Sequence, residues 1–271
     1  MLRSSFLCFY LFFYTLLLHV YAACAYSHGE TLDSSLIKTQ ADDTLSVDSI
    51  TWSLEKLLGK IDPAKDTDFV KVERKYTFRD SVFIQKEPYA AFIQMCEAAK
   101  ADKIPLIIVS ATRNFDEQKE LWEAKWKGKI LVDGNVDAGK IIDPIERSFA
   151  IMLYTAMPGT SRHQWGTDID LNSVERTYFQ TPQGKRVYEW LKNNAGKFGF
   201  CQTYTKKNPA RPDGYEEEKW HWSFTSMADE YYNQYLRRVS YTNLTGFSGA
   251  EQAEKMQVIE KFVSGISEEC R

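Results

Sequence analysis

The chain has 271 residues, 44% of them hydrophobic, and is rich in both helix and strand formers, enough to bury a sizeable core in one domain with appendages. Its formal net charge of -3 comes from acidic and basic residues interspersed along the chain, so it lacks the basic patch of a nucleic-acid-binding surface and no nucleic acid is expected as partner. Seven Trp and 15 Tyr are plentiful, and core packing is the reading preferred for them over carbohydrate stacking.

Arg3 precedes an apolar run from Phe6 to Ala25, and Ala23 and Ala25 form a small-residue cleavage site. That pattern predicts a signal peptide over residues 1–25 and an exported protein of the periplasm or cell envelope. Two alternatives keep the chain at a membrane: an uncleaved anchor, since the run is nearly long enough to span a bilayer, and a lipoprotein signal acylated at Cys24. Residues 26–50 are polar, rich in Ser, Thr, Asp and Glu, and read as a tether. Cleavage would leave Cys96, Cys201 and Cys270, an odd and widely spaced set without C-x-x-C. This argues against a disulfide framework and against a cysteine metal site; Cys96 and Cys201 are either bridged or free thiols.

In chain order, a short helix is expected over Ser53–Leu58 and a half-buried strand over Val70–Phe78. Pro88–Lys103 reads as an amphipathic helix. The run IPLIIV from Ile104 to Val109 reads as a central strand that delivers Ser110-Ala111-Thr112-Arg113 to its end. Asn114 then caps a helix to Trp126, with Gln118, Leu121, Trp122 and Trp126 at helical spacing. Residues 130–142 read as a loop, and Asp143-Pro144 opens a helix to about Thr155. Another helix starts at Thr181-Pro182 and ends near Gly196. Strands are expected over Phe198–Tyr204 and Lys219–Phe224, and helices over Met227–Val239 and Glu251–Ile266.

The segment Pro158–Asn172, PGTSRHQWGTDIDLN, holds His163, one of four histidines in the chain. His163 and Asp170 are seven apart, so one regular strand would point them to opposite faces, and they converge only if the chain bends. Gly166 permits that bend, and Asp168 and Asp170 then share a strand face. Such a pair alone is compatible with an ordinary hydrogen bond or with half a metal site. In WHWS, His221 points away from Trp220 and Trp222 and looks into a cleft while the indoles pack behind it, with Glu218 three residues earlier. Glu216–Glu218 is otherwise readable as a solvated charge run. Three ligands, an open position and a nearby carboxylate are what a catalytic zinc site needs.

SATRNFDEQ from Ser110 to Gln118, SRHQWGTDID from Ser161 to Asp170 and EKWH from Glu218 to His221 together resemble the three motifs of the VanY-type D-alanyl-D-alanine carboxypeptidases. These are zinc peptidases of the group that also holds lysostaphin-like enzymes and the hedgehog domain. The resemblance spans about 110 residues, and order and most spacings agree. It implies one Zn2+ on His163, Asp170 and His221, with Glu218 as general base and proton donor. Arg113 would stabilise charge on the scissile carbonyl oxygen, and Gln118 and Ser161 would hold the substrate's terminal carboxylate. Ala111 replaces a Gly of the family pattern, Asp168 stands where a small residue is usual, and Thr203 stands where an Arg often precedes Tyr204. Asp168 is left with two readings: it orients a ligand, or it competes with Asp170 for the metal.

The expectation is an α+β single domain over residues 51–240, a small mainly antiparallel sheet flanked by helices as in hedgehog-like peptidases, followed by a helical extension over 241–271. The implied substrate is the peptidoglycan stem peptide, trimmed at its C-terminal D-alanine. The rivals are an L,D-carboxypeptidase or endopeptidase on the same polymer, or a non-catalytic wall-binding protein.

Overall fold

Two alternating tetrapeptides organise the fold. Asp168-Ile169-Asp170-Leu171 forms β4 and His221-Trp222-Ser223-Phe224 forms β6, and they pair antiparallel with Asp170 opposite His221 and Asp168 opposite Ser223. Because strand side chains alternate, one face of the pair carries Asp168, Asp170, His221 and Ser223 and the other carries Ile169, Leu171, Trp222 and Phe224. The computed structural model of the chain describes residues 51–271. The expected leader, the acylation site Cys24 and the tether over 26–50 lie outside them.

The sheet has four strands in the order β3-β4-β6-β5, all antiparallel, with β3 at Ile108–Ser110 and β5 at Phe200–Gln202. Its apolar face packs with helix α2 (Lys86–Ala101) and helix α5 (Pro182–Asn194) in one core, through Phe92 and Met95 from α2 and Val187 and Leu191 from α5. A second core joins α1 (Leu54–Leu57), α3 (Phe115–Trp126), α4 (Pro144–Ile151) and α6 (Thr225–Arg238) with buried residues between Leu244 and Cys270. The α+β architecture, a small antiparallel sheet flanked by helices, is as expected. A separate two-stranded sheet pairs β1 (Phe69–Lys71) with β2 (Phe83–Gln85).

Several elements differ from the sequence reading. The strand expected over Val70–Phe78 stops at Lys71, because its partner β2 is only three residues long, and Arg74–Tyr76 turns as a 3-10 helix. β2 itself was not foreseen. The apolar run from Ile104 contributes a strand only from Ile108; Pro105 has no N–H to donate to a ladder, although Ile104 and Leu106 stay buried. No regular helix forms over Glu251–Ile266. Gln257 adopts a left-handed φ of 52°, which separates a 3-10 turn at Ala250–Gln252 from a single π turn at Ile259–Val263.

The cysteine reading is corrected. Cys201, in β5, is bridged to Cys270 with a Cα–Cα separation of 5.6 Å, and among the described residues Cys96 is the free thiol. The odd count came from Cys96, which lies on α2, its Sγ facing the Leu106 carbonyl at 3.8 Å. The bridge closes a 69-residue separation, so it removes substantial chain entropy from the unfolded state. Replacing both Cys201 and Cys270 by Ser is expected to lower unfolding free energy by about 2–4 kcal/mol. Denaturant unfolding with and without reductant checks this, and identical midpoints for the two proteins under oxidising conditions would rule the contribution out.

Candidate metal centre and catalytic cleft

The bend between His163 and Asp170 is real and sits where glycine was needed. Arg162–Trp165 forms a 3-10 turn that ends at Gly166 with φ 73°, after which the chain straightens into β4. A side chain at residue 166 would also run into the Phe69 ring and Gln85. The turn brings His163 beside the sheet, its ring edge-on to that of His221 with centroids 4.6 Å apart. One ligand atom from each of His163, Asp170 and His221 falls within 4.8 Å of the others, and all three residues are buried.

Each imidazole is aimed by its other nitrogen. His163 Nδ1 lies 2.7 Å from the Ala111 carbonyl, which only accepts, so Nδ1 carries the proton and Nε2 faces Asp170 Oδ2 at 3.3 Å. His221 does the reverse. Its Nε2 donates to Asp168 Oδ2 at 2.8 Å, and Nδ1 faces Asp170 Oδ1 at 3.5 Å and Glu218 Oε2 at 3.3 Å. Anchoring the non-ligating nitrogen on a carbonyl or carboxylate is the usual way a protein orients metal-binding histidines. Ala111 serves through its backbone, which explains why the departure from glycine there leaves the geometry intact.

Asp170 Oδ1 is buried and has no hydrogen-bond partner. A buried carboxylate oxygen left unsatisfied costs free energy unless a cation meets it. It faces a histidine nitrogen of the same cluster, so the residues present suit a divalent metal, and an N,N,O donor set matches zinc. Asp168 is not a competing ligand. Its Oδ2 accepts from Arg162 Nε at 3.2 Å as well as from His221, and its Oδ1 accepts from the hydroxyls of Ser223 at 2.8 Å and Thr167 at 2.7 Å. Burial works to raise its pKa, but the Arg162 guanidinium and the His221 hydrogen bond outweigh it and hold the carboxyl well below the ordinary range.

Glu218 stands at the turn into β6. Its N–H donates to the Tyr204 carbonyl at 2.9 Å and its own carbonyl accepts from Gln202 Nε2 at 3.1 Å. The acidic run before β6 is therefore not simply a solvated face: Glu218 is buried and lines the cavity. Burial pushes its carboxyl above the usual value, against the opposing pull of His221. On the metal-free protein, His221 is raised to about 10: burial lowers it, but the Asp168 and Glu218 carboxylates prevail.

The cavity holding these groups measures about 580 Å³. Arg113 and Ser161 line it. Gln118 does not. Its side chain is 1% exposed and fully engaged, accepting from Arg113 Nη1 at 2.8 Å through Oε1 and donating to the Ala156 carbonyl at 2.7 Å through Nε2. It aims Arg113 rather than contacting the cleft. Trp222 packs in the core behind the sheet, but Trp220 lines the cavity; it precedes β6 in a turn, so strand alternation does not apply to it. Tyr204, which the family pattern marks, lines the cavity too, as do Lys125, Tyr154 and Arg162, which went unnoticed in the sequence. Two basic residues beside His163 and at the end of an amphipathic helix carry no local signal of burial.

The sequence model described as "VanY: D-alanyl-D-alanine carboxypeptidase" matches residues 81–227. A D-alanyl-D-alanine carboxypeptidase of Enterococcus faecalis is 27% identical over 203 residues, covering 72% of this chain and 68% of the relative. The putative carboxypeptidase YodJ of Bacillus subtilis is 28% identical over 174 residues, covering 61% of this chain and 55% of the relative. Among solved structures, a zinc complex of the vancomycin-resistance D,D-pentapeptidase VanY is 23% identical with a TM-score of 0.46, covering 63% of this chain and 87% of that one. An L,D-carboxypeptidase, LdcB, is 23% identical with a TM-score of 0.47, covering 73% and 80%. Matched across the segments that supply Arg113, His163, Asp170, Glu218 and His221, the chain belongs to the VanY family of D-alanyl-D-alanine carboxypeptidases.

Proposed function

We propose that this protein is a zinc-dependent D,D-carboxypeptidase that removes the C-terminal D-alanine from peptidoglycan stem peptides. The observation that carries the reading is the orphan Oδ1 of Asp170, set against two histidines with opposed anchoring and within reach of the Glu218 side of the same cavity. His163 Nε2, Asp170 and His221 Nδ1 would hold one Zn2+, which when bound lowers the pKa of a water and polarises the scissile carbonyl.

The chain's own residues do the rest. Glu218, buried and raised in pKa, accepts a proton from the attacking water as its oxygen bonds to the carbonyl carbon. As the C–N bond breaks, the same carboxyl delivers that proton to the departing D-alanine nitrogen. Arg113, held by Gln118 Oε1 and by Ser110 Oγ at 3.2 Å, offers a fixed guanidinium to the carbonyl oxygen as it gains negative charge. Ser161 adds a hydroxyl to the substrate-facing wall.

Export to the cell envelope accords with a wall-peptide substrate, and the Cys201–Cys270 bridge supports an oxidising compartment. No helix among the described residues is long and apolar enough to cross a membrane. The reading is tested by incubating metal-loaded protein with a pentapeptide stem. One D-alanine per peptide and a tetrapeptide product are expected, with release abolished by a chelator and restored by zinc. Absence of D-alanine from metal-replete protein would overturn the proposal. A tripeptide product from tetrapeptide, with pentapeptide untouched, would assign L,D-specificity instead.

A further inference from the structure

Four cationic side chains line the cleft: Arg113, Lys125, Arg162 and Arg176. Three already have anionic company. Arg162 is bonded to Asp168, Arg176 to Asp133, and Arg113 lies in the fields of Asp170 and Glu218. Lys125 differs. Among the described residues its ammonium makes no ion pair; only the field of Glu218 reaches it, and its hydrogen bond runs to the neutral Thr155 Oγ1 at 2.6 Å. Two residues on, the exposed Lys127 pairs with Glu123 at 2.8 Å, so α3 does supply acids to lysines that face solvent.

An ammonium held out of bulk water without an ion-pair partner is a cost that an arriving anion removes. Burial and the nearby Arg113 work against the charge on Lys125 and outweigh the field of Glu218, so a bound anion at hydrogen-bond distance would relieve it. A carboxypeptidase must recognise a free C-terminal carboxylate, because that group alone distinguishes the terminal residue from an internal one. Gln118, the residue the family pattern suggested for this task, has both amide atoms committed elsewhere. Ser161 is neutral and cannot balance a full negative charge. Lys125 lies seven residues beyond Gln118 on the same helix and reaches the cavity that Gln118 does not.

We infer that Lys125 is the anchor for the free α-carboxylate of the substrate's terminal residue, and so sets this enzyme's preference for chain ends. The inference rests on the proposed peptidase reading. Its test compares wild type, Lys125→Met and Lys125→Arg on a pentapeptide stem and on the same peptide with a C-terminal amide. Wild type should favour the free acid. Lys125→Met should raise KM for the acid about 10–100-fold with kcat nearly unchanged, the signature of lost uniform binding, and should erase the acid-over-amide preference. Lys125→Arg should keep most of it.

Direct binding supplies a second readout. In a Glu218→Gln background, calorimetry should show pentapeptide affinity falling about 10–100-fold when Lys125→Met is added, with zinc content and melting temperature unchanged. An active Lys125→Met enzyme with unaltered KM and unaltered acid-to-amide ratio would overturn the assignment while leaving the peptidase reading in place. Wild type that releases no D-alanine from either peptide would overturn both.

Discussion

Replacing Glu218 by Gln should leave zinc binding intact and lower kcat on a pentapeptide stem by about 10²–10⁴-fold, the range for losing a positioned general base. The substitution keeps side-chain volume and spares the backbone bonds of residue 218 to Tyr204 and Gln202. It removes the capacity to take and return a proton, together with the negative charge that faces His221 Nδ1 at 3.3 Å. The proposed ligands His163, Asp170 and His221 are untouched, so the metal is expected to stay. Metal analysis and steady-state kinetics on the same preparation check both halves. A zinc-loaded variant with more than about a tenth of wild-type turnover would remove Glu218 from the base role.

Asp168→Ala is expected to be the most damaging single change to the fold around the site. It strips the carboxylate from Arg162, whose side chain is 0% exposed, and leaves a buried cation without a partner. Breaking a buried pair from one side costs about 3–5 kcal/mol, a large fraction of the 5–15 kcal/mol that typically separates folded from unfolded domains. His221 also loses the acceptor that fixes its Nε2 proton, which should weaken zinc binding about 10–100-fold. Asp168→Asn keeps the shape and separates the effects: it should retain more stability than the Ala variant yet still bind metal less tightly. Denaturant unfolding of metal-free protein measures the first effect and competition with a zinc chelator the second. An Ala variant with wild-type values in both would show that Asp168 neither neutralises Arg162 nor orients His221.

How far the site was legible depended on whether local pattern governed the residue. The convergence of His163 and Asp170 followed from an odd separation with one glycine between them, and Gly166 is left-handed as that argument required. The face of His221 followed from strand alternation, which held for Trp222 and failed for Trp220 because the strand begins one residue later. The two roles open to Asp168 could not be separated from sequence, since the answer lies in Arg162, Ser223 and Thr167 consuming its lone pairs. Gln118 was misplaced for a related reason. Its helix position was right, but only tertiary structure reveals that the Ala156 carbonyl and Arg113 claim its amide. Cys270 escaped because odd-count reasoning cannot say which thiol is left over. Beyond α6 the expected helix was lost to backbone conformation at Gln257, which no hydrophobic period discloses.

The Cys201–Cys270 bridge also places the fastening of the sheet late in synthesis. β5, which it clamps, pairs with the very strand that carries His221. The proposed ligands at residues 163, 170 and 221 all emerge from the ribosome before residue 270 does, so a nascent chain can hold the whole candidate metal set while one edge of the sheet is still unfastened. Oxidation of Cys270 then fastens that edge to the residues beyond α6.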